Sequence, residues 1–266
     1  PIMIESLPAQ QTLPEATGTI YYGIDVPENT NKLLIVNADR TVANGTALSV
    51  YPEGEQWSGA NGTSSAEYNV NTTSGARRII IRWSAVEKTP LSFSVKRKDI
   101  EKGDLITDPI EAVLGENNIT AEGTRYYKYT ATRDGKLSIE PNNPAVTVEF
   151  PRGTDSWSGT YDAVVNGISY SLEATNGTEY LIKLQNCNAG EAFTLTEGDF
   201  ATGEIRSLPI DMESNEYVFP NNQNSVWLRY KATRDCMVTA DYDGDYNASN
   251  TVEYGKDGKD QNGYDN

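Results

Sequence analysis

From Gly123 the chain runs GTRYYKYTATRDGKLSIE, and apolar and polar positions alternate along it. Tyr127, Tyr129 and Ala131 fall on one face, and Lys128, Thr130 and Thr132 point away from it. Leu137 and Ile139 resume an apolar face after a turn. A period of two bounded by turn residues predicts strands with one buried and one wet face. Thr132-Arg133-Asp134-Gly135 has the chemistry of a short hairpin turn, with Gly135 free to take positive φ. The stretch therefore predicts a β-hairpin.

The phrase YYKYTATRDG at 126–135 returns as WLRYKATRDC at 227–236, and the echo extends further. Each unit opens on a Pro-containing edge segment, SLPAQ at Pro8, DPIEA at Pro109 and LPIDM at Pro209. An aromatic strand follows: GTIYYGIDV from Gly18, GTRYYKYTA from Gly123 and NSVWLRYKA from Asn224. KLLIV, KLSIE and MVTAD come next, from Lys32, Lys136 and Met237, then LSVYPEG, VTVEFPRG and NTVEYGKDG. The first two units continue with Trp-Ser-Gly and finish with two more strands, RIIIRW with LSFSVKR and EYLIKLQ with AFTLTEG. Agreement in order and spacing across three units is the signature of a repeat.

No window shows helical periodicity with caps. The expected architecture is all-β, in tandem antiparallel, jelly-roll-like β-sandwiches of roughly 100 residues each. Their expected bounds are 1–103, 104–206 and 207–266. The third unit stops at a point matching the middle of the second, and half a sandwich leaves open edges and too little core. The expectation is that the natural chain continues. The alternative is completion in trans by a partner or second copy, which would make the protein oligomerise.

Composition narrows the chemistry. There is no histidine, which removes Ser-His-Asp and Cys-His catalysis, His-ligated zinc and His proton shuttling together. Two cysteines, Cys187 and Cys236, form neither a zinc cluster nor a CxxC motif. The net charge of −16 would repel a phosphate backbone, so nucleic acid is not an expected partner. No apolar run reaches transmembrane length, so no membrane span is expected. PIMIESLPAQ lacks a basic segment followed by an apolar core, so an export signal would already have been removed. Residues 1–103 are nearly balanced, with 10 basic and 11 acidic groups, and Arg77, Arg78, Arg82 and Lys96, Arg97, Lys98 cluster there. Such a cluster is either a solvated sheet face or a docking patch for an acidic partner.

The order of features resembles the bacterial pre-peptidase C-terminal domain. The residues that carry the resemblance are Tyr126-Tyr127-Lys128-Tyr129, Gly135, Leu137-Ser138-Ile139, Val148 to Gly153, Tyr180 to Leu184 and Phe193 to Thr196. Arg125 stands where that family commonly has an acidic residue before the aromatic pair. The resemblance covers the second unit best and fades after Gly255. It implies a small non-catalytic sandwich appended to secreted, periplasmic or surface proteins of bacteria, sometimes with calcium, that assists secretion, adhesion or substrate contact. An HExxH peptidase helix has no histidine to build it.

Three sets of residues invite a functional reading. Trp57 and Trp157 occupy matching WSG loops, with Tyr161 nearby, and an indole offers a sugar ring a flat apolar face. The other reading is a plug at the open end of each sandwich. Asp241, Asp243, Asp245 and Asn247 alternate oxygens as Ca²⁺ prefers, and Asp257 and Asp260 continue the run. Gly244 at the fourth position and the missing Glu exclude an EF-hand, and a solvated acidic loop is the competing explanation. Cys236 replaces the glycine of the turn, where a non-glycine residue carries strain, and a Cys187–Cys236 disulfide is one compensation in an oxidising compartment. A changed turn type is the other.

Two functions fit. One is a non-catalytic binding or adhesion module at the cell surface, contacting glycan or protein through end loops. The other is an accessory or spacer region of a larger secreted hydrolase, with no ligand of its own. Burial of the two tryptophans would favour the spacer, and exposure the binder.

Overall fold

The alternating segments become strands, but their pairing is not a succession of hairpins. The computed structural model describes residues 1–13, 18–39, 47–56, 59–85, 91–154, 158–213, 216–218, 226–231, 233, 254–256 and 259–261. The chain divides into two units, Pro1–Phe200 and Ala201–Asn266. No helix occurs among the described residues, and none is long and apolar enough to cross a membrane.

Nine strands build the first sandwich: β1 (Ile2–Met3), β2 (Ala9–Leu13), β3 (Gly18–Val26), β4 (Asn31–Ala38), β5 (Ala47–Pro52), β6 (Ala60–Gly62), β7 (Ser65–Asn71), β8 (Arg77–Ala85) and β9 (Leu91–Asp99). They form two sheets, ordered β1-β3-β8-β5-β6 and β2-β9-β4-β7. The second sandwich has β10 (Ile110–Glu111), β11 (Gly115–Asn118), β12 (Gly123–Thr130), β13 (Gly135–Pro141), β14 (Thr147–Glu149), β15 (Val164–Asn166), β16 (Ser169–Ala174), β17 (Glu179–Cys187) and β18 (Ala192–Gly198). Its sheets run β10-β12-β17-β14 and β11-β18-β13-β16-β15. In the second unit β19 (Ile210–Asp211) pairs with β20 (Leu228–Arg229), and β21 (Tyr254–Lys256) with β22 (Lys259–Gln261).

Each sheet pair encloses its own core. In the first, Tyr22, Ile24, Val50 and Ile81 meet Leu34, Val36, Phe93 and Val95 from the facing sheet. In the second, Tyr127, Tyr129 and Ile182 meet Leu137, Ile139, Phe193 and Leu195. The same edge-to-face aromatic pair lies in both cores: Tyr22 on Phe93 at 5.0 Å and Tyr127 on Phe193 at 4.9 Å. Such pairs add about 0.5–1.5 kcal/mol beyond area burial. The Tyr127 hydroxyl donates to the Asn118 carbonyl at 3.0 Å, so its polar end is satisfied inside.

Two expectations need correcting. The stretch 126–139 is an arch, not a hairpin: β12 pairs with β17 in one sheet, and β13 with β16 and β18 in the other. The alternation places Tyr127 and Ile139 on buried faces correctly, but those faces oppose each other across the core. The turn must therefore step between layers. Gly135 has φ +129, and a Cβ there would come within 2.5 Å of the Gly198 carbonyl oxygen. Cys236, its counterpart, lies outside the described residues.

The second correction concerns which proline marks the edge segment of the first unit. Each aromatic strand is flanked by a two-residue parallel strand, so the sheets are not purely antiparallel. Ile2 pairs with Tyr22, Ile110 with Tyr127 and Ile210 with Leu228. The residue that matches Pro109 and Pro209 is therefore Pro1, not Pro8, and PIMIES at 1–6 aligns with PIDMES at 209–214.

The first two sandwiches join through a polar, largely buried seam. Asp104, its side chain fully buried, pairs with Arg125 and takes a 2.8 Å contact from Lys98. Glu67 of the first sandwich accepts the Thr124 amide of the second at 3.0 Å, and Lys96 pairs with Glu122. Gly103, at φ +87, lies against Ile110 and Arg125 so closely that a Cβ would clash with both.

Burial raises the Glu67 carboxyl above its ordinary range, against the pull of the Thr124 amide and of Lys98. The folded state thus holds this proton more tightly than the unfolded chain does. The resulting stability is present at low pH and lost as pH rises through the raised value. Glu67→Gln removes that loss. Melting curves of both proteins should show the variant gaining on the wild type as pH rises above the ordinary carboxylate range. Parallel curves would show that Glu67 does not titrate differently on folding.

Candidate functional site

The strongest site among the described residues lies on the outer face of the β1-β3-β8-β5-β6 sheet. Alternation sends Tyr22, Ile81 and Val50 into the core, so their neighbours Tyr21, Arg82 and Ser49 must face outward. Register then aligns four strands in one row: Tyr21 opposite Arg82, Arg82 opposite Ser49, Ser49 opposite Asn61. Side chains so placed stand about 4.5–5.5 Å apart at Cβ. Ser49, Asn61 and Arg82, with Gln56, line a depression of about 140 Å³.

Arg82 is the charged centre of this row. Its Nη2 donates to the Ser49 hydroxyl at 3.2 Å, while its Nε is buried without a partner. Among the described residues it forms no ion pair, although its neighbours in the basic cluster do. Arg78 holds Asp25 at 2.7 Å, Arg77 holds Glu55 at 3.2 Å, and Lys96 and Lys98 hold Glu122 and Asp104. A buried guanidinium N–H left unpaired costs free energy until something fills it.

Two tyrosines neighbour Arg82 on this face. Tyr21 is 44% exposed. Tyr51 is covered, and burial raises its phenol above the ordinary range while the Arg82 charge works against that rise and Tyr21 adds to it. Gly59 of the first WSG loop is pinned onto this strand: a Cβ there would come within 2.6 Å of Tyr51 Cβ and 2.3 Å of the Val50 carbonyl oxygen. The loop's glycine therefore sits beside the row. Trp57 and Trp157 themselves lie outside the described residues.

Tyr161 is half-buried rather than a free platform. Its ring packs against Tyr180 at 5.6 Å, and the Arg152 guanidinium covers it at 5.1 Å. Cys187 ends β17 inside the second core, where burial pushes its thiol up to about 12, and Cys236 lies outside the described residues. Of the calcium candidates, Asp241, Asp243, Asp245, Asn247 and Asp257 lie outside the described residues. Asp260 lies in β22 opposite Gly255. No group of three or more acidic or thiol side chains able to hold a metal occurs among the described residues.

The row escaped sequence reasoning because its members come from four strands. The available signal was the Arg77, Arg78, Arg82 cluster, whose members cannot be told apart before pairing is known.

No family model matches the chain, and no curated protein matches it. Among solved structures it is similar to dimeric latent PorU from Porphyromonas gingivalis, at 10% identity and a TM-score of 0.17. That match covers 73% of this chain and 22% of the PorU chain.

Proposed function

We propose that the chain is a non-catalytic binding module of a secreted or surface-exposed protein, and that its first sandwich holds a glycan on the outer face of the β3-β8-β5-β6 strands. The observation that carries this reading is the row Tyr21–Arg82–Ser49–Asn61, an exposed tyrosine in register with a guanidinium, a hydroxyl and an amide. Flat apolar area next to convergent polar donors suits a sugar ring, whose faces are apolar and whose rim is hydroxyls. The absence of histidine supports a non-catalytic role. The resemblance to pre-peptidase C-terminal domains points the same way.

A second reading, a spacer within a larger secreted hydrolase, draws on the seam between the sandwiches. Its buried ion pair and cross-sandwich hydrogen bond suit a rod that sets distance.

Calorimetric titration of the protein with a panel of neutral and acidic oligosaccharides separates the two. At least one member should bind, and Tyr21→Ala should weaken it about three- to tenfold by removing the stacking face. No binding to any member would leave the spacer.

A further inference from the structure

The two sandwiches carry the same row with one decisive difference. Register makes Tyr126, Lys183 and Glu149 of the second sandwich the counterparts of Tyr21, Arg82 and Ser49 in the first. In the second, the Glu149 carboxylate holds Lys183 at 2.9 Å, so the cation is neutralised from within. In the first, serine replaces the glutamate and the cation becomes arginine. The carboxylate is gone, and what stands in its place is a depression with a guanidinium Nε lacking a partner.

We propose that the first sandwich takes a carboxylate from its ligand at the position the second sandwich fills with Glu149, and that the ligand is an acidic, uronate-type sugar. This rests on reading the face as a glycan site. A carboxylate is the planar acceptor that a guanidinium fork matches with two parallel hydrogen bonds. Arg82 lines the depression and has no ion-pair partner among the described residues, so its charge is uncommitted to any internal acid. Arginine in place of lysine fits this change of partner, since a point ammonium suffices for an internal glutamate but does not offer paired donors. Ser49, Asn61 and Gln56 supply hydroxyl and amide groups for the rest of the ring, and Tyr21 supplies the apolar face. An acidic peptide would present carboxylates on flexible stems and would make no use of the tyrosine as a stacking surface. The sugar is therefore favoured.

The test uses the full chain, a galacturonate oligomer and the same oligomer with its carboxyl groups reduced to alcohols. The acid form should bind about ten- to hundredfold more tightly than the reduced form, the range of a charge-assisted hydrogen-bonded pair. Ser49→Glu, which transplants the second sandwich's carboxylate, should lose most of that preference, because the internal acid competes for Arg82. Arg82→Gln should lose it as well, which covers the case in which Ser49→Glu lowers the melting temperature. Equal binding of acid and reduced oligomers would overturn the carboxylate assignment while leaving the glycan reading intact. Unchanged preference in both variants would do the same. Failure of the wild type to bind either oligomer, with binding to oligoglutamate instead, would overturn the glycan reading itself.

Discussion

Replacing Asp104 by Ala is expected to cost the Pro1–Phe200 unit about 3–5 kcal/mol. Its carboxylate accepts from Arg125, from Lys98 and, at 2.9 Å, from the Glu101 amide, all with its side chain fully buried. Without it, the Arg125 guanidinium, 1% exposed, keeps the Lys102 carbonyl at 2.6 Å and the weaker influence of Glu67 and Tyr127, and its Nε already lacks a partner. A buried charge that has lost its paired carboxylate outweighs the lost contacts. The second unit shows an apolar solution to the same local geometry. There Val226 takes the position of Arg125, and it packs against Gly203 and Ile210 as Arg125 and Ile110 pack around Gly103. The double variant D104A/R125V should therefore recover most of the loss, since replacing a whole buried pair by apolar groups is close to neutral. Urea denaturation of wild type, single and double variants measures both. A single variant within about 1 kcal/mol of wild type would show that the seam is more hydrated than its burial implies.

Trp83→Ala should be of similar size, about 3–5 kcal/mol, because an indole with no exposed surface leaves a cavity its neighbours cannot close. Trp83 sits in the first core against Phe93, with ring centroids 5.5 Å apart. Its indole N–H is buried without an acceptor. Trp83→Phe therefore separates two contributions: it gives up some volume but removes an unsatisfied donor. The expected result is a large loss for alanine and a loss no more than about half as large for phenylalanine, read from the same denaturation curves. Equal losses would mean that the N–H is satisfied in solution.

Much of the core was legible from alternation alone. Tyr127, Tyr129, Leu137 and Ile139 were placed on buried faces, and each is buried. What alternation cannot supply is the partner of a strand. Period two reports which way Tyr127 faces, and it is the same whether the next strand pairs beside β12 or lies across the core. Hence the arch at Gly135 looked like a hairpin. The matching of edge segments was misread for a different reason. Pro8 lies at the right distance from Pro109, but parallel pairing selects Pro1, whose neighbour Ile2 hydrogen-bonds in the register of Ile110 and Ile210. The words PIMIES and PIDMES carried that signal in the sequence.

The site was less legible than the fold. Asp104 and Arg125 are 21 positions apart in sequence, and nothing local marks them as a pair. Ser49 and Glu149 differ at equivalent positions, yet the difference has meaning only once Arg82 and Lys183 are known to stand opposite them. The aromatic loops drew attention by their repetition, whereas the described geometry places the uncommitted chemistry on the neighbouring sheet face.

The most direct test of the account is the Arg82 side-chain Nε–Hε resonance, followed while the galacturonate oligomer is titrated into the protein. Arg82 has no ion-pair partner among the described residues, so a carboxylate arriving on the guanidinium should move this proton in step with saturation. The amides of Tyr21, Ser49 and Asn61 should shift with it. An Arg82 signal that stays fixed while the sugar binds, or shifts confined to the Lys183–Glu149 row of the second sandwich, would contradict it.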